Sequence, residues 1–196
     1  MQQRNRAWVI VVVVLVILAI FAVVSYNGLV KKEEYVKLNW GNLQNAYQRR
    51  MDLTPNLVAV VKASTDYEKQ TLEQVTIARA KAMQVSVSSA GLSAENFKNQ
   101  ELAQAEMVNS INRIIGVIEK YPDLKSTKSF LDLQSQLEGT ERRIKVSRND
   151  FNEAVANYNK SVRGFPTSLV ASVLGFRPRE GFQSEPGAGE APEVKF

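Results

Sequence analysis

AWVIVVVVLVILAIFAVV, residues 7–24, contains no charged residue, no glycine and no proline. At 1.5 Å per helical residue, the stretch from Trp8 to Tyr26 spans about 28 Å, close to the ~30 Å hydrocarbon core of a bilayer. Trp8 and Tyr26 stand at its ends, where amphipathic rings favour the headgroup zone. Valine is a poor residue for a soluble helix. In lipid, however, the backbone must satisfy its own hydrogen bonds, so a helix is expected. The competing reading is a cleaved signal peptide with Arg4 and Arg6 as its charged start. The apolar core of such a peptide is ~7–15 residues, shorter than this one, and Val23-Val24-Ser25 is a weak cleavage site. An uncleaved anchor is the expectation.

The flanks of this run set its orientation. Arg4 and Arg6 precede it closely, and Lys31, Lys32 and Lys37 follow at greater distance. Basic residues near the span favour the cytoplasmic side. The amino terminus is therefore expected inside and the rest of the chain outside the cytoplasm.

Composition narrows the function. The chain has 196 residues and a net charge of +5. Without anchor and tail, about 150 residues remain, enough for one domain with a real core. The positive charge is spread along the chain, which argues against a nucleic-acid partner and fits a lipid surface. There is no His and no Cys. That removes the commonest general base, the thiol nucleophile and nearly all zinc chemistry. No glycine-rich phosphate loop is present either. No catalytic, cofactor or metal residues are expected.

Between Lys31 and Gly164 glycine and proline are scarce and apolar residues recur with helical period. The expectation is an all-α chain: a transmembrane helix followed by an antiparallel four-helix bundle with long first and fourth helices. The divisions are a basic tail (1–6), the span (7–26), the bundle (27–164), a membrane-proximal apolar segment (165–182) and a disordered tail (183–196). Within the bundle, helices are expected at about 31–63, 66–86, 93–120 and 127–162. The first, with Val36, Trp40, Leu43, Tyr47, Leu57 and Val61 in its stripe, should kink at Thr54-Pro55. The second buries Leu72, Val75, Ala78, Ala82 and Val85. A loop over Ser88–Ser93 leads to the third, N-capped by Ser93, with a stripe of Leu102, Ala105, Val108, Ile111, Ile115 and Ile118.

The fourth helix carries the clearest pattern. Phe130, Leu137, Ile144, Phe151, Tyr158 and Phe165 fall seven apart, one seam of a heptad repeat. The second seam, Gln134, Glu141, Arg148, Val155 and Val162, is half polar. The first helix has Arg50 in the same awkward place. The ordinary reading puts these charges at the bundle edge, with their stems snorkelling. The sharper reading buries Arg50, Glu141 and Arg148 as a polar layer, in which each needs the others. Beyond Pro166, residues Ser168–Leu174 can form a short helix closed by Gly175. Leu169, Val170, Val173, Leu174 and Phe176 concentrate there, between Arg163 and Arg177. This segment either lies in the membrane interface or caps the stalk of the first and fourth helices.

These residues resemble the LemA family of bacterial membrane proteins. The likeness starts in the anchor region and runs through Trp40, Arg49-Arg50-Met51-Asp52-Leu53-Thr54-Pro55-Asn56-Leu57-Val58 and Ala78-Arg79-Ala80. It is strongest in Tyr121-Pro122-Asp123-Leu124-Lys125, Phe130, Leu133-Gln134, Leu137, Thr140-Glu141, Ile144, Arg148, Phe151-Asn152, Ala154-Val155, Tyr158-Asn159 and Phe165-Pro166. It covers the chain to about Phe176. Arg142 stands where the family often has Asn, Phe151 where Tyr is usual, and the later tail diverges. The resemblance implies an N-terminal span and an antiparallel helical domain. It implies no catalytic residues, since the family has no settled biochemical activity. Arg50, Glu141 and Arg148 are motif positions.

The function expected first is a non-enzymatic assembly or adaptor module, with the bilayer, further copies of itself and an unidentified protein as partners. A ligand- or lipid-sensing domain is the second reading. A carboxylate-dependent hydrolase is the weakest.

Overall fold

The computed structural model describes residues 2–62, 69–85 and 93–182. The chain is all-α, with six helices and no strand among the described residues. The expected loop at residues 88–92 and the tail from residue 183 lie outside them.

α1 (Gln2–Lys62) is a single helix of 61 residues. The anchor and the first helix of the domain are thus one continuous rod, about 90 Å long. Ser25 is buried and Tyr26 packs edge-on against Phe176 at 5.8 Å. The weak cleavage site at residues 23–25 therefore sits inside an uninterrupted, packed helix.

Pro55 does not end α1, and two contacts explain how it is tolerated. Proline lacks the N–H that would bond the carbonyl of Met51, four residues back. That carbonyl instead accepts from Arg79 Nε of α2 at 3.0 Å. One residue earlier, the Thr54 hydroxyl donates to the Arg50 carbonyl at 2.9 Å.

α2 (Lys69–Gln84) descends along α1, and α3 (Ala94–Ile118) ascends beside both. The antiparallel sense of α2 and α3 is fixed by Lys81 with Glu106 and by Gln74 with Arg113. Ser93 caps α3, its side chain accepting from the Asn96 N–H. α4 (Pro122–Lys125) is a single turn that reverses the chain. Thr127 then caps α5 (Lys128–Arg163), accepting from Phe130 N–H and donating to the Leu124 carbonyl at 2.7 Å. α5 returns down α1, bringing Glu141 to Arg50 and Ser161 to Lys32. α6 (Thr167–Leu174) follows a sharp corner and ends at Gly175, whose φ of +78° is left-handed.

The expected stripes of α1, α2 and α5 are interior, with two exceptions. Val85 is only half-buried. Phe165 is 83% exposed, because it lies past the end of α5, where the heptad seam no longer has a helix to follow. α3 is rotated from its expected face. Leu102 points outward, and the buried line is Phe97, Gln100, Gln104, Met107, Ile111, Ile114 and Ile118. The reason is polar. Gln100 exchanges hydrogen bonds with Gln44 at 3.1 and 3.2 Å, and Gln104 accepts from Arg50. Glutamines satisfied in this way can be buried, whereas an apolar-only stripe misplaces the helix.

The core divides in two. A lower cluster, nearer the apolar end of α1, includes Leu29, Val36, Trp40, Tyr47, Phe97, Ile144, Phe151 and Tyr158. An upper cluster includes Leu53, Leu57, Val75, Met107, Ile114, Phe130 and Leu137.

Candidate functional site

Between those two clusters lies a polar layer. On α1, Arg50 separates Tyr47 below from Leu53 above. On α3, Gln104 separates Phe97 from Met107. On α5, Glu141 separates Ile144 from Leu137. Arg50 donates through one terminal nitrogen to Gln104 Oε1 at 2.8 Å and through the other to Glu141 Oε2 at 2.5 Å. Its side chain is 4% exposed, against 47% for Glu141. The guanidinium also lies 5.9 Å from the Tyr47 ring centroid. Its Nε is buried without a partner among the described residues.

Arg50 is therefore interior, not at the edge where the ordinary sequence reading put it. Arg148 is not part of its pair. It takes Glu101 of α3 instead, and its guanidinium lies 4.6 Å above the Phe182 ring. All three charged residues singled out in the sequence do line one open cleft of about 460 Å³ between α1, α3 and α5. Glu101, Gln104, Lys145 and Asn152 share it. Burial is the main influence on the Tyr47 phenol and raises its pKa, while Arg148 and Arg50 pull the other way.

The chain's own returning segment reaches the cleft from below and contributes Phe182 to its lining. After Gly175 the backbone runs back along α5 as far as Phe182. Two asparagines of α5 hold it. Asn159 accepts from Arg179 N–H at 2.8 Å and donates to the Arg179 carbonyl at 2.7 Å. Asn152 does the same for Phe182, at 2.9 and 3.1 Å. Arg179 also pairs with Glu33 of α1. Phe182 enters a ring cluster with Trp40, Phe97 and Phe151, with centroids 4.8–6.1 Å away. A Cβ at Gly181 would meet Asn152 Oδ1 at 2.8 Å, so a side chain there would displace the amide that holds Phe182.

The sequence reading grouped this strap with the membrane-proximal segment 165–182 and gave it no contact with α5 or with the cleft. Its signal was present: Asn152 and Asn159 fall seven apart, each directly after a seam aromatic. Glu101 and Gln104 left no comparable signal, because α3 had been rotated.

Of the membrane-proximal residues, Val170 and Phe176 are half-buried, and Phe176 packs on the lower core. Leu169, Val173 and Leu174 are exposed. α6 thus caps α1 and α5 through Ala171 while turning another apolar face outward.

The LemA family model matches residues 39–196. The match leaves out the anchor and continues beyond Phe176, where the resemblance read from the sequence stopped. Magnetosome protein MamQ 1 of Paramagnetospirillum magneticum is 33% identical over 86 residues, 44% of this chain and 31% of that protein. MamQ of Magnetospirillum gryphiswaldense is 30% identical over the same length. Protein LemA of Metamycoplasma hominis is 22% identical over 152 residues, 76% of this chain and 64% of its own. The chain's match spans about a third of the length of the MamQ relatives.

Proposed function

The chain belongs to the LemA family, and from that premise we propose that it is a non-enzymatic assembly and adaptor module. It is a membrane-anchored protein of a bacterial family, whose α1 holds one stretch long and apolar enough to cross a membrane. The finer reading places it in the inner membrane with the amino terminus inside and the helical domain outside the cytoplasm. Basic residues close to the start of the span support that side.

One observation carries the non-enzymatic reading. Four of the five charged groups that line the cleft neutralise one another across helices, Arg50 with Glu141 and Arg148 with Glu101, and Lys145 is the fifth. Such a layer fixes the register of three helices, a role for which buried polar groups are well suited. No His or Cys exists in the chain to serve as base or nucleophile.

Self-association needs a surface other than the heptad seam. Phe130, Leu137, Ile144, Phe151 and Tyr158 are all buried within one chain and cannot also pair copies. Exposed apolar residues such as Leu38, Leu102 and Val146, the outward face of α6 and the anchors themselves are available among the described residues. Crosslinking the full chain in membranes at rising surface density is expected to give a ladder of multimers. Monomer at every density would remove assembly from the proposal.

A second reading draws on the cleft itself. A small ligand entering it would meet Arg50, Arg148 and Lys145. If cells carrying Arg50→Met with Glu141→Leu keep the phenotype of the parent, the polar groups serve packing alone and the sensing reading fails.

A further inference from the structure

We propose that α6 is a second membrane contact, an interfacial helix lying in the headgroup boundary of the bilayer that holds α1. The proposal rests on the anchor and is independent of the adaptor reading.

The depth of α6 comes from its partners on α1. Most of the apolar run is exposed on all sides, but Phe21, Ala22, Ser25 and Leu29 are withdrawn on one face. α6 packs there, with Ala171 in the cluster of Leu29 and Phe176 against Tyr26. Tyr26 marks the expected water boundary of the span. Phe21 lies five residues below it, about 7.5 Å at 1.5 Å per residue. That matches the ~5–10 Å to which interfacial helices sink.

The outward face fits the same depth. Leu169 and Val173 stand two residues either side of Ala171, and so on the opposite side of the helix. They are 62% and 84% exposed. Phe165 at the corner before α6 is exposed too, as are Val23 and Val24 of the span. Water is a poor solvent for such a face, and the boundary of the acyl chains is a good one.

Charge completes the fit. Lys31, Lys32, Arg163 and Arg177 are exposed near this level, Lys32 donating to the Ser161 hydroxyl. The neighbouring acids Glu33 and Glu34 are already taken by Arg179 and Lys37. These exposed cations suit anionic lipid headgroups. With its foot held at two points, the rod of α1 would stand at a fixed tilt. Arg50 would then be carried about 36 Å above Tyr26.

The full chain lacks Cys, so single nitroxide labels can be placed at Val173→Cys and Leu169→Cys and read in bilayers of mixed neutral and anionic phospholipid. Val16→Cys in the span and Val146→Cys midway along α5 bracket them. The expected result is that labels at 169 and 173 collide readily with oxygen and several-fold less with a water-soluble nickel complex than the label at 146. Nickel access at 173 equal to that at 146 would overturn the proposal while leaving the anchor standing. Shielding from both agents with spin–spin broadening would assign the face to a second copy and overturn it too. Nickel access at 16 would remove the anchor and the proposal together.

Discussion

At the scale of single residues, the polar layer is asymmetric, and so are its expected mutations. Arg50 is almost wholly buried and Glu141 is half solvated. Removing the glutamate strands a buried charge, whereas removing the arginine leaves a carboxylate that water can reach. Glu141→Leu is therefore expected to lower unfolding stability by about 3 kcal/mol, and Arg50→Met by less. The pair Arg50→Met with Glu141→Leu should regain most of the loss. Denaturant melts of the three variants check the order. A double variant no more stable than Glu141→Leu would mean the layer contributes net stability.

Arg79 and Pro55 make a second residue-scale case. Arg79→Met leaves the Met51 carbonyl without its donor and is expected to cost about 1–2 kcal/mol. Pro55→Ala restores the helical N–H, and in that background Arg79→Met should cost clearly less. Equal cost in both backgrounds would show that Arg79 acts through packing of its stem instead.

At the scale of elements, periodicity made α1, α2 and α5 legible, because apolar residues at helical spacing must face a core. α3 was misread because its inner face carries Gln100 and Gln104, whose partners Gln44 and Arg50 come from a distant part of the chain. No local pattern encodes such a partner. The continuity of α1 escaped for a related reason. Ser25, Asn27 and Gly28 look like a break between anchor and domain, yet the packing of α6 and α5 carries the helix through them. For the site, Arg50, Glu141 and Arg148 were visible as misfits on apolar seams. Their division into two pairs was not, since Glu101 lay on a helix that had been turned the wrong way.

The strap is the element whose hold is most easily tested. Its backbone hangs on two side-chain amides, and Phe182 fills a ring cluster with Trp40. Asn152→Ala with Asn159→Ala should free it, change Trp40 fluorescence and open residues 177–182 to protease, while the helical circular dichroism stays. Gly181→Ala is expected to act in the same direction at Asn152 alone. Unchanged Trp40 emission in the double variant would show that the rings hold the strap without the amides.

At the scale of the whole molecule, pH dependence follows from composition and burial. With no His, the chain has no imidazole to titrate between pH 5 and 8. Burial is the largest influence on Tyr47 and Tyr158 and raises both phenols above their ordinary value of 10.0. A raised pKa in the folded state means that the neutral phenols favour folding. Their contribution is complete below pH 10 and is lost as pH climbs through the folded values. Thermal melts should therefore fall on the alkaline side above about pH 10, and Tyr47→Phe should soften that fall. An alkaline limb unchanged by Tyr47→Phe would assign it to other groups.

At this scale α1 is a single rod, proposed to cross the membrane once and to hold its domain outside the cytoplasm. Labelling of Gln3→Cys and Ser89→Cys in intact cells, with an impermeant maleimide after the outer envelope is opened, tests it most directly. No other thiol exists in the chain to confuse the reading. The expected result is labelling at 89 and none at 3. Labelling at 3 without 89 would put the domain in the cytoplasm, and equal labelling at both would contradict the single crossing.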